Sequence, residues 1–525
     1  MNFTEEQQEV IDARGCNVLV SAAAGSGKTA VLVERIIQLI TDRNAVDIDH
    51  LLVVTFTRAA AAQMKERITQ AIEKKLENDP ENVHLQRQET LIHNAQITTI
   101  DSFCQYVIRN NFNEIDLDPS YRVADEGEMK LLQRDVMVEL LEKEYEMANP
   151  DFLFCSEYFS TGNNDKALED CIMQLYQFSV SMPWPQDWLR ERAGDYDLTP
   201  DTFDDAQWIR ACMEQSRSCL ADNIARLEKA ILICEQPDGP YMYAEILEKD
   251  IQSLSGIMDA KDFDAMQNSF MMLSFDRLSA KKDDAVSPEK RELIKEIRGQ
   301  IKKALADLQE DFFEQDRETI LSRMQLCTRA VHELCNLTLL FMQAFEQRKK
   351  EKNVIDFSDM EHFALNILVR HEPGQKPEEA EPTQVALEYR DFFAEILIDE
   401  YQDSNLVQEL ILGAIAREGA GISDRFMVGD VKQSIYRFRL ARPEIFMEKL
   451  DNFSTKKDEM NRRIDLHRNF RSRKTVLDGV NYIFDRVMER TVGGVDYDAD
   501  AKLQAGADFP EPQNGQVYDT ELLLI

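Results

Sequence analysis

Five short runs of apolar and β-branched residues punctuate the chain, at 17–22, 51–57, 95–100, 395–399 and 425–429. Each is nearly unbroken in its apolar character, as strands covered on both faces of a parallel sheet are. Helical periodicity follows the first two, over residues 30–40 (AVLVERIIQLI) and 59–76 (AAAAQMKERI at its start). Strand–helix–strand alternation implies an α/β fold, a parallel sheet with helices on both faces. Between the third and fourth runs the period changes. From about residue 116 to 350 it is helical, with a long amphipathic stretch at 291–348. Polar segments at 160–165, 280–289 and 371–383 read as loops. The expected organisation is an α/β domain (1–115 with 351–464), a large, mainly helical insertion (116–350) and the start of a further domain (465–525). The closing GQVYDTELLLI reads as a strand.

Composition changes this picture little. Hydrophobic residues make up 43% and charged residues 30%, ordinary for a globular chain. No run of about 18 apolar residues predicts a membrane span, and the acidic opening MNFTEEQQEV lacks the pattern of a leader. Nine cysteines without a CxxC pair point to free thiols in a reducing cytoplasm. The net charge of −36 argues against a generally basic nucleic-acid binder. Residues 431–474 nevertheless carry 13 Lys and Arg against 6 Asp and Glu. A basic groove on an acidic protein is therefore expected, and most of the acidic insertion is expected to face solvent or a protein partner.

Chemistry concentrates at two strand ends. Ala22-Ala23-Ala24-Gly25-Ser26-Gly27-Lys28-Thr29 lies between a strand and a helix, where a phosphate loop belongs. Gly25 and Gly27 let backbone N–H groups approach phosphate oxygens, and the helix N-terminus adds partial positive charge. Lys28 is expected on the β- and γ-phosphates and Thr29 on Mg²⁺, so ATP and Mg²⁺ are the expected cofactors. Ala22 stands where the motif usually opens with Gly. The second signal is Ile398-Asp399-Glu400-Tyr401-Gln402-Asp403, which closes an apolar strand. Asp399 can hold the metal and Glu400 can orient and deprotonate water. Alone, the pair could equally be a solvated strand end; beside the phosphate loop it reads as catalytic.

These two motifs define a P-loop NTPase, and further strings say which kind. Phe3-Thr4-Glu5-Glu6-Gln7, Thr55-Phe56-Thr57-Arg58-Ala59, Thr98-Thr99-Ile100-Asp101-Ser102-Phe103, the stretch from Val428 to Phe438 (VGDVKQSIYRF) and Leu466-His467-Arg468-Asn469-Phe470-Arg471-Ser472 stand in order along the chain. With the phosphate loop and the acidic pair they make seven motifs, and the chain resembles the UvrD-like superfamily 1 helicases. That resemblance implies a RecA-like ATP-binding motor domain. Gln7 would read adenine, and Gln433 would sense the γ-phosphate. Arg471 would be the arginine finger, its alternative being a surface cation capping a helix. Phe470 would stack on adenine or, alternatively, fill the core. DNA would meet Phe56, Thr57, Arg58, Ser102, Phe103, Tyr436, Phe438 and Arg439, with core packing the alternative for Phe103 and Phe438. Asp356-Phe357-Ser358-Asp359 reads as the return into the α/β domain, with Phe357 packing and Asp359 starting a helix.

Arg58, Asp101 and Ala30 occupy positions where the family more often has Asn, His and Arg. The strings AAAGSGKTAVLVERI, LLVVTFTRAAAAQMKERI, TTIDSFC and ILIDEYQDSN look like the AddA-type, RecB-like subunits of helicase–nucleases that resect double-strand breaks. The resemblance implies 3′-to-5′ translocation on single- and double-stranded DNA ends and an AddB-like partner in a heterodimer. It also implies a nuclease domain and the rest of a second motor domain beyond this stretch. The alternatives are a non-catalytic DNA- or partner-binding module and a solo repair helicase.

Overall fold

Six strands, all parallel, build the central sheet of the computed structural model, which describes residues 3–42, 45–160, 164–417, 423–489, 495–510 and 520–521. They are β1 (Asn17–Ala22), β2 (Leu51–Thr55), β3 (Gln96–Thr99), β4 (Glu395–Ile398), β5 (Arg425–Gly429) and β6 (Asn461–Leu466), in the spatial order β6-β1-β5-β4-β2-β3. Register is set where both faces are covered: Val18 pairs with Phe426, Leu52 with Ile396, and Ile398 with Met427. Val18, Val20 and Val53 enter one apolar cluster while Leu19, Leu52 and Val54 enter the other, so each strand feeds two layers of helices. All six C-terminal ends lie at one edge, where open α/β sheets bind ligands.

β6 was not among the five expected strands. It is an edge strand whose residues alternate between buried and open positions. Arg462, Arg463 and Asp465 break its apolar run, so only a period of two marked it.

Caps decide where the helices begin. Helix Lys28–Leu39 starts from Gly27 in the left-handed region, and helix Arg58–Asn78 from Thr57, whose hydroxyl accepts from Ala60 N–H at 3.1 Å. Asp356 and Asp359 form a reciprocal capping box at the head of helix Phe357–Leu368, so Asp359 starts a helix as expected. Phe357 does not pack: its side chain is 57% exposed, because the first residue of that helix faces away from the apolar stripe of Met360, Ala364 and Leu365. Behind the sheet's acidic edge, Glu409 takes Arg425 at 2.7 Å, Lys449 at 3.1 Å and the Tyr401 hydroxyl at 2.7 Å. Burial alone would raise that carboxyl, but the two cations overrule it and hold it at about 2.

The chain divides into two compact units, Met1–Leu140 with Gln174–Trp188 and Phe341–Ile525, and Leu141–Met173 with Leu189–Leu340. The second is helical. Helices Gln207–Cys234, Ala244–Met258 and Pro288–Phe312 contribute Leu220, Leu254 and Ile301 to its core, and a buried ion pair joins Arg298 to Asp250 at 2.6 Å. The stretch expected as one helical run at 291–348 is two helices, Pro288–Phe312 and Arg317–Glu351. Phe313 between them is buried, and Asp316 accepts from Thr319 N–H at 2.8 Å at the restart. The unit borders fall at 140 and 340, inside helices Glu126–Met147 and Arg317–Glu351, rather than at 116 and 350. Residue 465 lies within β6, and the described part of 465–525 groups with the first unit. The strand expected at the chain's end lies outside the described residues.

Candidate functional site

β1 ends at Ala22, which is fully buried, so the departure from Gly is absorbed by the core. The loop that follows turns on two glycines, Gly25 at φ 72° and Gly27 at φ 87°. Ser26 is buried, and its hydroxyl has no hydrogen-bond partner among the described residues. An orphaned hydroxyl inside a glycine cradle at a helix N-terminus fits a bound phosphate chain. Lys28 opens the helix, with half-buried Thr29 next to it, and its Nζ lies 3.2 Å from Glu400 Oε2.

The acidic pair sits on the adjoining strand end. Asp399 continues β4, its N–H donating to Val54 O at 2.9 Å. Burial, reinforced by the neighbouring Glu400 charge and opposed by Lys28, pushes its carboxyl up to about 6. Glu400 takes a left-handed backbone at φ 52°, a costly conformation for a residue with a side chain, and that turn swings its carboxylate onto Lys28. Asp403, on the same loop, is likewise pushed up to about 6 by burial and by Glu400.

Gln402 ties this loop to β5. Its Nε2 donates to Glu400 Oε2 at 3.0 Å and to Asp403 Oδ2 at 3.2 Å, while its Oε1 accepts from Asp430 N–H at 3.0 Å. Asp430 in turn receives Gln433 Nε2 at 2.7 Å and Lys432 Nζ at 3.0 Å. A continuous polar chain therefore runs Lys28–Glu400–Gln402–Asp430–Gln433. Gly429 leaves room for it, since a Cβ there would stand 2.3 Å from Gln402 Oε1. Gly429→Ala is expected to destabilise the fold by about 1–3 kcal/mol through overpacking and to lower ATP turnover as well. Urea titration and steady-state hydrolysis would check this; a variant equal to wild type in both removes Gln402 from its bridging role.

A second clasp lies on the phosphate loop itself. Asn469 Nδ2 donates to Ala24 O at 2.6 Å, Phe470 N–H to Gly25 O at 2.9 Å, and Asn469 Oδ1 accepts from Arg471 and Ser472 N–H at 2.9 and 2.8 Å. Gly25 lies so close that a Cβ would come within 2.8 Å of Arg471 Cβ. Arg471 itself is exposed beside the loop. Gln7 is committed at both ends of its amide: Oε1 accepts from Thr4 N–H at 3.0 Å and Nε2 donates to Ser26 O at 2.8 Å. Gln7, His467, Arg468 and Phe470 line a small cavity of about 70 Å³. Gln402 and Asn469 carry these clasps, yet neither is singled out by the sequence. Their positions inside two of the motif strings were the one available signal.

The residues read as DNA contacts divide into three groups. Phe56 stacks on Tyr436 with centroids 4.5 Å apart, and Phe438, 75% exposed, lies 5.9 Å from Tyr436. Thr57 caps its helix, Arg58 is exposed, and Ser102 Oγ bonds Thr99 Oγ1 at 3.0 Å. Phe103 must be corrected. It is fully buried among Tyr389, Phe393 and neighbouring helices, because its place in the first turn of helix Ile100–Asn111 faces the sheet. The side chain of Arg439 lies outside the described residues.

A parallel α/β sheet with a glycine-cradled loop at one strand end and an acidic pair at the next defines a P-loop NTPase. The particular family follows from comparison: the UvrD/REP helicase N-terminal domain matches residues 3–454, and the chain belongs to that family. It is 48% identical over 517 residues to the AddA subunit of the ATP-dependent helicase/nuclease of Lachnoclostridium phytofermentans, covering 97% of this chain and 37% of that protein. The proteins of the same description from Clostridium beijerinckii and Clostridioides difficile are 43% and 41% identical, each over 97% of this chain and over 41% and 40% of their own length. The chain thus spans about two fifths of the length of these relatives. Among the described residues no helix is long and apolar enough to cross a membrane.

Proposed function

We propose that this chain is the ATP-binding part of an ATP-dependent, 3′-to-5′ DNA helicase of the AddA type, working with an AddB-like partner on double-strand breaks. The observation that carries the reading is the continuous polar chain from Lys28 to Gln433, which leads from the phosphate loop to the segment bearing Tyr436 and Phe438. Nucleotide state and an aromatic face suited to single-stranded bases share one set of loops.

In this reading Gly25, Ser26, Gly27 and Lys28 hold the phosphates, and Thr29 and Asp399 hold Mg²⁺. Bound there, the metal would neutralise charge on the β- and γ-phosphates. Glu400 orients the attacking water and takes its proton, releasing Lys28 to the phosphates. Gln433 senses the γ-phosphate through Asp430, and Arg471 answers charge developing on the transferred group. Gln7 and Phe470 flank the adenine cavity. Phe56, Thr57, Arg58, Ser102, Tyr436, Phe438 and Arg439 face DNA.

Unwinding tests the proposal. In the full-length protein with its partner subunit, duplexes bearing a 3′ single-stranded tail should be separated with ATP and those bearing a 5′ tail should not. Preference for 5′ tails, or separation without ATP, would overturn it.

The site also predicts a pH dependence. Asp399 holds Mg²⁺ only when ionised, and its carboxyl is raised to about 6. Mg²⁺·ATP affinity should therefore fall as pH drops through about 6, and Asp399→Asn should weaken affinity and remove that dependence. Without ligand the sign reverses. A carboxyl raised in the folded state binds protons more tightly than in the unfolded state, so its ionisation costs stability as pH rises from the ordinary Asp range to about 6. Asp399→Asn should therefore stabilise the ligand-free protein at neutral pH, measurable by urea titration.

A further inference from the structure

Three helices of the first unit meet at one carboxylate that no step above uses. Helix Phe357–Leu368 shares an apolar cluster with helix Ile100–Asn111, through Met360 and Ala364 on one and Phe103 and Cys104 on the other, and it also packs on helix Leu406–Ala414. Glu361 stands half-buried beside that junction. Its Oε1 accepts from Gln408 Nε2 at 2.7 Å and its Oε2 from Asn405 Nδ2 at 3.1 Å. Those amides are themselves a reciprocal cap: Gln408 N–H donates to Asn405 Oδ1 at 2.8 Å and Asn405 N–H to Gln408 Oε1 at 3.4 Å. Glu361 thereby fixes both capping side chains of the helix entered from the Tyr401–Asp403 turn, the turn that carries Gln402.

The opposite side of Glu361 faces the DNA-contacting edge. Asp101 sits in the first turn of helix Ile100–Asn111, next to Ser102. Burial raises its carboxyl, and the Arg58 guanidinium pulls it back down. Glu361 is raised first by burial and lowered by its two amide donors, and the Asp101 charge adds to the rise. The two carboxylates therefore feel each other, and Arg58 is the cation that quiets Asp101. Arg58 is exposed at the head of its helix, where a DNA phosphate can compete for it. Drawing Arg58 away leaves Asp101 uncompensated and increases its repulsion of Glu361. The strain falls on the Asn405–Gln408 cap and, through it, on the loop carrying Glu400.

We propose that Glu361 is a positioning residue, set between Asp101 and the Asn405–Gln408 cap, through which DNA bound at Arg58 adjusts the Asp399–Asp403 loop for hydrolysis. The inference rests on the DNA-dependent ATPase proposed above. Its residues are outside the nucleotide site, so substitution should change the response to DNA rather than the chemistry.

The test is ATP hydrolysis by the full-length protein with its partner subunit, without and with saturating single-stranded oligonucleotide, for wild type, Asp101→Asn, Glu361→Gln and Glu361→Ala. Basal kcat and the KM for ATP should stay near wild type. The DNA stimulation ratio should fall by about five- to tenfold in Glu361→Ala, as loss of a coupling free energy of ordinary size requires. Glu361→Gln keeps one acceptor oxygen and should fall less. Asp101→Asn is the distinctive case, because removing a negative charge should leave oligonucleotide affinity equal or tighter while stimulation drops. It also serves if Glu361→Ala does not fold. Wild-type stimulation in Asp101→Asn, or in a folded Glu361→Ala, overturns the inference. A wild-type enzyme indifferent to DNA instead overturns the functional reading on which it rests.

Discussion

Glu400→Gln is expected to bind ATP and fail to hydrolyse it. The amide keeps the shape of the carboxylate but cannot accept a proton from water, and losing a general base costs about 10²–10⁴ in rate. The substitution should be mild for the fold. Glu400 is partly open to solvent, its contact with Lys28 is a single 3.2 Å ion pair, and an amide oxygen can still accept from Gln402. Binding should hold or tighten, because in the wild type Glu400 competes with phosphate for Lys28. Single-turnover hydrolysis beside equilibrium binding of a fluorescent ATP analogue separates the two effects. Hydrolysis at the wild-type rate would remove Glu400 from its role, and loss of binding would make it structural.

Arg471→Ala should have an effect at least as large. The residue is exposed beside the phosphate loop, and its backbone, not its side chain, makes the bond to Asn469. Removing the guanidinium should therefore leave stability near wild type while lowering kcat by about 10³–10⁵, the span of an arginine finger. Arg471→Lys keeps the charge without the planar fork and should recover only part of the loss. Asn469→Ala is the control. It unfastens the segment from Ala24 and should loosen nucleotide binding as well as turnover. Steady-state kinetics with thermal denaturation on all three would distinguish a finger from a clasp. An Arg471→Ala enzyme with wild-type kcat would reduce Arg471 to a surface cation.

What the sequence could reveal follows from the range of each interaction. β1, β2, β4 and β5 were legible because burial on both faces makes an unbroken apolar run. The two edge strands fared differently. β3 kept a β-branched run from Ile97 to Thr99, whereas the charged residues of β6 hid it. The phosphate loop and acidic pair were legible because their chemistry lies within a few consecutive residues. Gln402, Gly429 and Asn469 act across contacts between distant segments, and no local pattern encodes those. Aromatic residues failed in both directions: Phe103 turned inward and Phe357 outward, since each sits in a first helical turn where one residue of rotation changes the face. The unit borders were displaced because helices Glu126–Met147 and Arg317–Glu351 continue without interruption through them. The raised carboxyl of Asp399 depends on burial and on its neighbours' charges, which composition does not reveal.

That one set of loops both binds ATP and answers to DNA is tested most directly by steady-state hydrolysis. The full-length protein would be titrated with single-stranded oligonucleotide, as wild type and as Lys28→Ala. Turnover should rise with DNA and saturate in the wild type, and should be absent at every DNA concentration in Lys28→Ala. Hydrolysis indifferent to DNA, or persisting at the wild-type rate without Lys28, would contradict it.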